Sequence, residues 1–284
     1  MNALQAAILG AIQGLTEFVP ISSSAHLLIL RWLFGWEGKD VAFDAVIHLG
    51  TLAALLLFFW RDWHEMIRAY LSTTGFAKAS RAAKDLSVAP QANAILLWPV
   101  IFACVPAGLA GVLFEDTVNE TFRTKPLLTG SVLILMGLLL LAADRIGRKN
   151  RPMYSVRTRD WLIVGIAQAL AFVPGVSRSG ITITAGLFCG LEREASARFS
   201  FLVGAPIIFG AGAWELKKVL SRGLSGAEIL PLLAGFLTAT LVGFFCVKFL
   251  IGYLRNHSAD LFVWYRVALG LALIATTVAG YIRA

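Results

Sequence analysis

Cysteine, histidine and charge are all scarce in this sequence. Its three cysteines, Cys104, Cys189 and Cys246, lie far apart in apolar stretches. With no CxxC and no Cys/His cluster, neither a zinc site nor a disulfide framework is expected, and all three read as inert core residues. Charged residues fill 15% of the 284 positions and apolar ones 58%, whereas soluble domains sit near about 25% charged and 45–50% apolar. That imbalance excludes an ordinary soluble domain, so the protein's solvent is mostly lipid. Met1 to Ala11 lacks the basic start of a cleavable signal, and the first apolar stretch is expected to be retained. What charge there is leans positive, with a formal net of +8. In so apolar a chain, anionic lipid and the positive-inside rule account for that excess, and no nucleic-acid partner is expected.

A transmembrane helix needs about 20 apolar residues. Six stretches fit, at roughly 41–60, 92–114, 126–143, 199–216, 227–252 and 261–282. Two others are interrupted: 3–34 by Val19-Pro20-Ile21-Ser22-Ser23-Ser24, and 160–191 by Pro174-Gly175-Val176-Ser177-Arg178-Ser179-Gly180. Proline stops the first limb of each, and serine suits the cap of a second. Each limb is too short to cross, so both segments read as re-entrant helix–turn–helix hairpins. The run Gln13 to Pro20 also resembles Gln168 to Pro174, with one residue missing. Three candidate spans follow each. The expected fold is therefore an all-α polytopic membrane protein of about six transmembrane helices plus two re-entrant hairpins, forming one membrane domain over 1–284. Residues 1–143 would be one repeat and 144–284 a second, inverted one.

Charge gives a sidedness. The loops 61–91, 144–159, 192–198 and 253–260 hold 14 Lys and Arg, against six in 35–40, 115–125 and 217–226. By the positive-inside rule the first set is cytoplasmic, and both termini face outward. Residues 71–91 read as a small solvated loop with an amphipathic helix. Trp32, Trp36, Trp60, Trp63 and Trp264 suit an interfacial belt. Lys248 and Arg266, near span ends, read as snorkelling side chains.

Polar residues at bilayer depth call for a functional reading. The first hairpin offers Gln13, Glu17, Ser22, Ser23, Ser24 and His26; the second offers Ser177, Arg178, Ser179 and Thr182. Gly175 and Gly180 would let backbone approach a ligand. Two turns that each open a helical limb present free N–H groups and partial positive charge, which favours an anion. Arg178 matches phosphate oxygens bidentately. Glu17, perched beside an anion site, implies a divalent cation such as Mg²⁺ between them, with Gln13 as a second ligand. Ser23, His26 or an activated water could be the nucleophile. Each feature also has a bland reading: a structural Glu17–Arg178 ion pair, a hydrogen-bonded core histidine, serines as caps. Asp44 and His48 share a helix face; they could line the cavity, but read first as a structural hydrogen bond.

Gln13-Gly14-Leu15-Thr16-Glu17-Phe18-Val19-Pro20-Ile21-Ser22-Ser23-Ser24-Ala25-His26 and Pro174-Gly175-Val176-Ser177-Arg178-Ser179-Gly180-Ile181-Thr182 together resemble the motifs of the bacterial undecaprenyl-diphosphate phosphatase family, the bacitracin-resistance proteins. The likeness extends to Phe43–Arg61 and Ala197–Phe201 and spans nearly the whole chain. It implies a multi-pass enzyme of the bacterial inner membrane that hydrolyses undecaprenyl diphosphate to the monophosphate, with a divalent cation (Mg or Ca) and a site open to the periplasm. It places the family's essential Glu, His and Arg at Glu17, His26 and Arg178. Ser22, Ser24, Gly175, Ser177, Ser179, Gly180 and Thr182 would bind the polyprenyl diphosphate. Gln13 stands where the family also admits Glu, and a neutral side chain is the weaker ligand. A homodimer is compatible with this reading. The alternative is a carrier that flips undecaprenyl phosphate without cleaving it; a purely structural scaffold would leave Glu17 and Arg178 without purpose.

Overall fold

The computed structural model describes residues 1–34, 41–72, 96–122, 125–223 and 225–281. Among them no strand forms, and the helices are α1 (Ala3–Phe18), α2 (Ser23–Phe34), α3 (Val41–Phe58), α4 (Trp60–Ser72), α5 (Leu97–Phe102), α6 (Cys104–Phe122), α7 (Pro126–Ile146), α8 (Thr158–Ala169), α9 (Arg178–Phe188), α10 (Arg193–Arg222), α11 (Gly226–Asn256) and α12 (Asp260–Val278). Helices α7, α10, α11 and α12 are long and apolar enough to cross a membrane. The α3–α4 pair qualifies as a fifth span, bent by 68°. The expected span 92–114 begins outside the described residues, and the rest is split at Ala103 into α5 and α6. Pro106 explains the split. It has no N–H for the carbonyl four residues back, and it is tolerated only in the first turn of a new helix. The 71–91 helix and Trp36 lie wholly or largely outside the described residues.

Both interrupted segments are helix–turn–helix units. Their limbs, α1, α2, α8 and α9, run 16, 12, 12 and 11 residues, each short of a crossing. Val19 and Val173 leave the helical region for extended backbone, as residues before proline must. Each turn then passes through a left-handed serine, Ser22 at φ +76° and Ser177 at φ +69°. In each, that serine's hydroxyl lies 3.2 Å from the hydroxyl two residues on, Ser24 and Ser179.

Close backbone approach seats the first unit. Helix α1 lies along α11, which also packs on α3, while α12 packs on α7. A Cβ at Gly14 would come within 2.8 Å of the Gly243 nitrogen. Small residues at such crossings replace the hydrophobic drive that lipid removes. The outer face of α11 meets lipid with Leu237, Leu241, Phe245 and Phe249, all exposed and spaced four apart. Inside, Phe18 meets Phe201 edge-on at 5.5 Å, joining α1 to α10 beneath the turns.

Candidate active site

Glu17 is the hub. It sits in the last turn of α1 and is buried. Its Oε1 accepts from Arg178 Nη2 at 2.7 Å. Its Oε2 accepts from Ser23 Oγ at 2.6 Å and from Gln13 Nε2 at 2.8 Å. The two turns thus meet through a carboxylate and a guanidinium 161 residues apart in sequence. Arg178 also donates to the Gly204 carbonyl of α10 at 2.8 Å. A Cβ at Gly204 would lie 2.7 Å from Nη1, so the close approach requires glycine. The pair borders a cavity of about 170 Å³ lined by Ser23, Ser24, Ser177, His48 and Gln168 among others. The pair forms the charged wall of that space, with two helix starts beside it.

The other expected site residues divide. Ser23, Ser24 and Ser177 line the cavity. Ser177 also caps α9, accepting from the Gly180 N–H at 3.1 Å. Ser22, Ser179, Thr182, Gly175 and Gly180 stand behind the wall. Thr182 Oγ1 is 2.6 Å from Ser200 Oγ, and Ser179 donates to the Val19 carbonyl at 3.2 Å. The space beside Gly175 and Gly180 is filled, by Thr129 and Val132 in one case and by Arg266 in the other. His26 does not line the cavity. Its Nδ1 lies 2.7 Å from the Ser22 carbonyl, which can only accept, so that nitrogen carries the proton. Its Nε2 then accepts from the Tyr265 hydroxyl at 2.7 Å, with the rings stacked.

Three further residues take their roles from the packing. His48 was read first as structural, with cavity lining as the alternative, and both hold: its Nδ1 bonds the Asp44 carbonyl at 2.7 Å. Its Nε2 faces the cavity 3.9 Å from Glu17 Oε2, while the Asp44 carboxylate pairs with Arg31. Gln168 forms part of the cavity wall with a buried Oε1 that has no partner among the described residues. Its alignment with Gln13 was the one signal for it. Arg266 overturns its expectation outright. It does not snorkel: it is 0% exposed. Nη2 donates to the Gly175 and Val176 carbonyls, Nη1 to Pro20 and Nε to Leu133, at 2.7–3.2 Å. The Pro20, Gly175 and Val176 carbonyls belong to the two turns, while Leu133 lies within α7; the turn carbonyls' demand for donors outweighs the cost of drawing a guanidinium from the interface. Lys248, by contrast, is exposed as expected.

Among the described residues no three His, Cys, Asp or Glu side chains stand together as a resident metal centre would need. Glu17 is the carboxylate of the cavity lining, where a hard cation arriving on substrate phosphates would meet it. Gln13 stands outside that lining and turns its Nε2 to Glu17; its Oε1, without a partner among the described residues, would join such a cation once the amide turns over.

A helical membrane protein in which two broken segments close a carboxylate–guanidinium–hydroxyl cluster belongs to the phosphate-handling class of integral membrane proteins. Comparison with known proteins narrows the class. The family model "Bacitracin resistance protein BacA" matches residues 6–272, and the chain belongs to that family. Among its relatives is a protein of Thermomicrobium roseum, 44% identical over 280 residues, covering 96% of this chain and 98% of the relative. One from Moorella thermoacetica is 46% identical over 275 residues, covering 97% and 98%. One from Pelobacter propionicus is 43% identical over 280 residues, covering 99% of each. All three carry the name undecaprenyl-diphosphatase.

Proposed function

We propose that this protein hydrolyses undecaprenyl diphosphate to undecaprenyl phosphate and inorganic phosphate. The observation that carries the reading is the Ser23 hydroxyl held 2.6 Å from a carboxylate that is itself held by Arg178. Glu17 accepts the Ser23 proton as Oγ attacks the terminal phosphorus. The P–O bond to the bridging oxygen breaks, and undecaprenyl phosphate departs. Arg178 and the N–H groups at the start of α9 hold the charge that builds on the phosphoryl oxygens. Glu17 passes that proton to the departing phosphate, takes another from the water that attacks the phosphoserine phosphorus, and gives it to Ser23 Oγ as the P–Oγ bond breaks, which frees phosphate and restores the carboxylate. His26 acts from behind, fixing the Ser22 carbonyl and with it the start of α2. A divalent cation, Mg²⁺ or Ca²⁺, would be held by Glu17 and Gln13 and would supply charge neutralisation on the diphosphate. A carrier that flips the lipid needs an anion site, but it has no use for a hydroxyl poised on a base.

The matching turns, with left-handed serines and paired hydroxyls, support division into two inverted repeats, 1–143 and 144–284. The charge asymmetry supports a cytoplasmic basic face and a site opening to the periplasm. The test is trapping with ³²P-labelled substrate. Acid-stable label on the wild type and none on Ser23→Ala, with kcat down about 10³-fold or more, is the expected result. Acid-labile label would instead assign the nucleophile to histidine. Loss of turnover in chelator, restored by Mg²⁺ or Ca²⁺, is expected alongside.

A further inference from the structure

A second cavity, of about 810 Å³, shares no residue with the first. It opens where α7 ends and α8 begins, on the side where the sequence concentrates its Lys and Arg. Its floor is a rigid polar knot. Arg151 donates to both oxygens of Asp160, at 2.6 and 3.2 Å, and to the Ser155 and Cys189 carbonyls at 2.6 and 2.8 Å. The Arg157 N–H adds a bond to Asp160 at 2.8 Å. The one carboxylate of the lining is thus saturated.

The remaining charges of the lining, Arg148, Arg157 and Arg159, are exposed, and none has an ion pair or side-chain hydrogen bond among the described residues. Elsewhere on this face arginines find carboxylates: Arg193 with Asp144, Arg198 with Asp62, Arg255 with Glu194. Three free guanidiniums around one concavity therefore stand apart. The opposite rim is apolar, with Ile146 73% and Phe188 45% exposed. Ile146 is the last residue of a membrane-crossing helix, so this rim lies at the height where acyl chains give way to headgroups.

We propose that this cavity binds the phosphodiester headgroup of an anionic glycerophospholipid, with Arg148, Arg157 and Arg159 on the phosphate and the first acyl carbons against Ile146 and Phe188. The argument is amphipathic. Guanidiniums alone would take any phosphate, but the apolar rim at the interface selects one that carries a tail. The site does not depend on how the first cavity works.

The experiment is native mass spectrometry of the full chain in detergent, titrated with phosphatidylglycerol, phosphatidylcholine or inorganic phosphate. Retained phosphatidylglycerol adducts with little phosphatidylcholine are expected. Arg157→Gln/Arg159→Gln should weaken the adduct about thirty-fold, taking each basic side chain near an anionic headgroup as about fivefold. The charge-matched Arg61→Gln/Arg68→Gln, on exposed α4 positions away from the cavity, should leave it intact. Arg148→Gln alone should weaken the adduct about fivefold by the same rule, which guards against a misfolded double variant. Equal loss in both double variants would reduce the effect to net charge and overturn the proposal. So would inorganic phosphate competing as well as the lipid, or no adduct at all.

Discussion

Arg178 and Arg266 are both buried arginines, yet they answer to different demands. Arg178 divides its guanidinium between Glu17 and the Gly204 carbonyl, each on a different helix. Lysine keeps the charge but lacks the planar fork, so Arg178→Lys should lower kcat/KM by about 10–100-fold while the fold stays intact. Steady-state kinetics beside a thermal melt checks this. Arg266 touches no carboxylate and instead donates to four carbonyls. Arg266→Met would fill the volume and leave those acceptors bare, at about 1–3 kcal/mol for each buried one. The expected result is a several-degree fall in detergent melting temperature together with loss of activity. A stable but inactive variant would instead assign Arg266 a direct part in the reaction. Arg178 was legible from its turn motif, and its pairing with Glu17 was foreseen. Arg266 was not: it lies in apolar company, where a charge near a helix end ordinarily reaches for water, and only the crossing of the two turns decides otherwise.

At the scale of elements, the turns were legible and the surroundings that position them were not. Val-Pro followed by serines, and Pro-Gly followed by Ser-Arg-Ser-Gly, announce a stop and a turn from local chemistry alone, and the structure places both there, with a serine cap at Ser177 in the second. The break at Ala103 was missed because the stretch is continuously apolar and was read by hydropathy, although Pro106 in its middle is a local signal for the stop. His48 was legible only as two alternatives, a structural hydrogen bond or cavity lining, and it does both. Its partner four residues back satisfies one ring nitrogen, while the other meets Glu17 only because α3 packs beside α1. The helix carrying Gly204 offers a sharper test. Gly204→Ala sets a methyl 2.7 Å from Arg178 Nη1 and 3.0 Å from its Cζ. Activity should drop about tenfold or more, through displacement of the guanidinium, with little change in helix content. Circular dichroism with an activity assay separates the two.

For the whole molecule, the hydropathy pattern was enough for the polytopic all-α architecture, because lipid admits only backbone that satisfies itself. It says nothing about which limbs meet, since that depends on glycine contacts such as Gly14 against Gly243. Sidedness remains a prediction. With the native cysteines replaced by alanine, single cysteines at Tyr154 and Tyr281, which are 55% and 86% exposed, should behave oppositely in intact cells. An impermeant maleimide should label position 281 and spare 154; the reverse pattern would invert the assigned orientation.

The bond from Arg266 to Pro20 has a consequence in time. These residues are 246 apart in the chain, so a ribosome finishes the first turn long before it makes the side chain that fastens it. Through most of biosynthesis the first turn lacks that fastening. On the proposed mechanism, competence then waits for the final helix to dock, and a nascent protein is expected to be inactive until it is nearly whole.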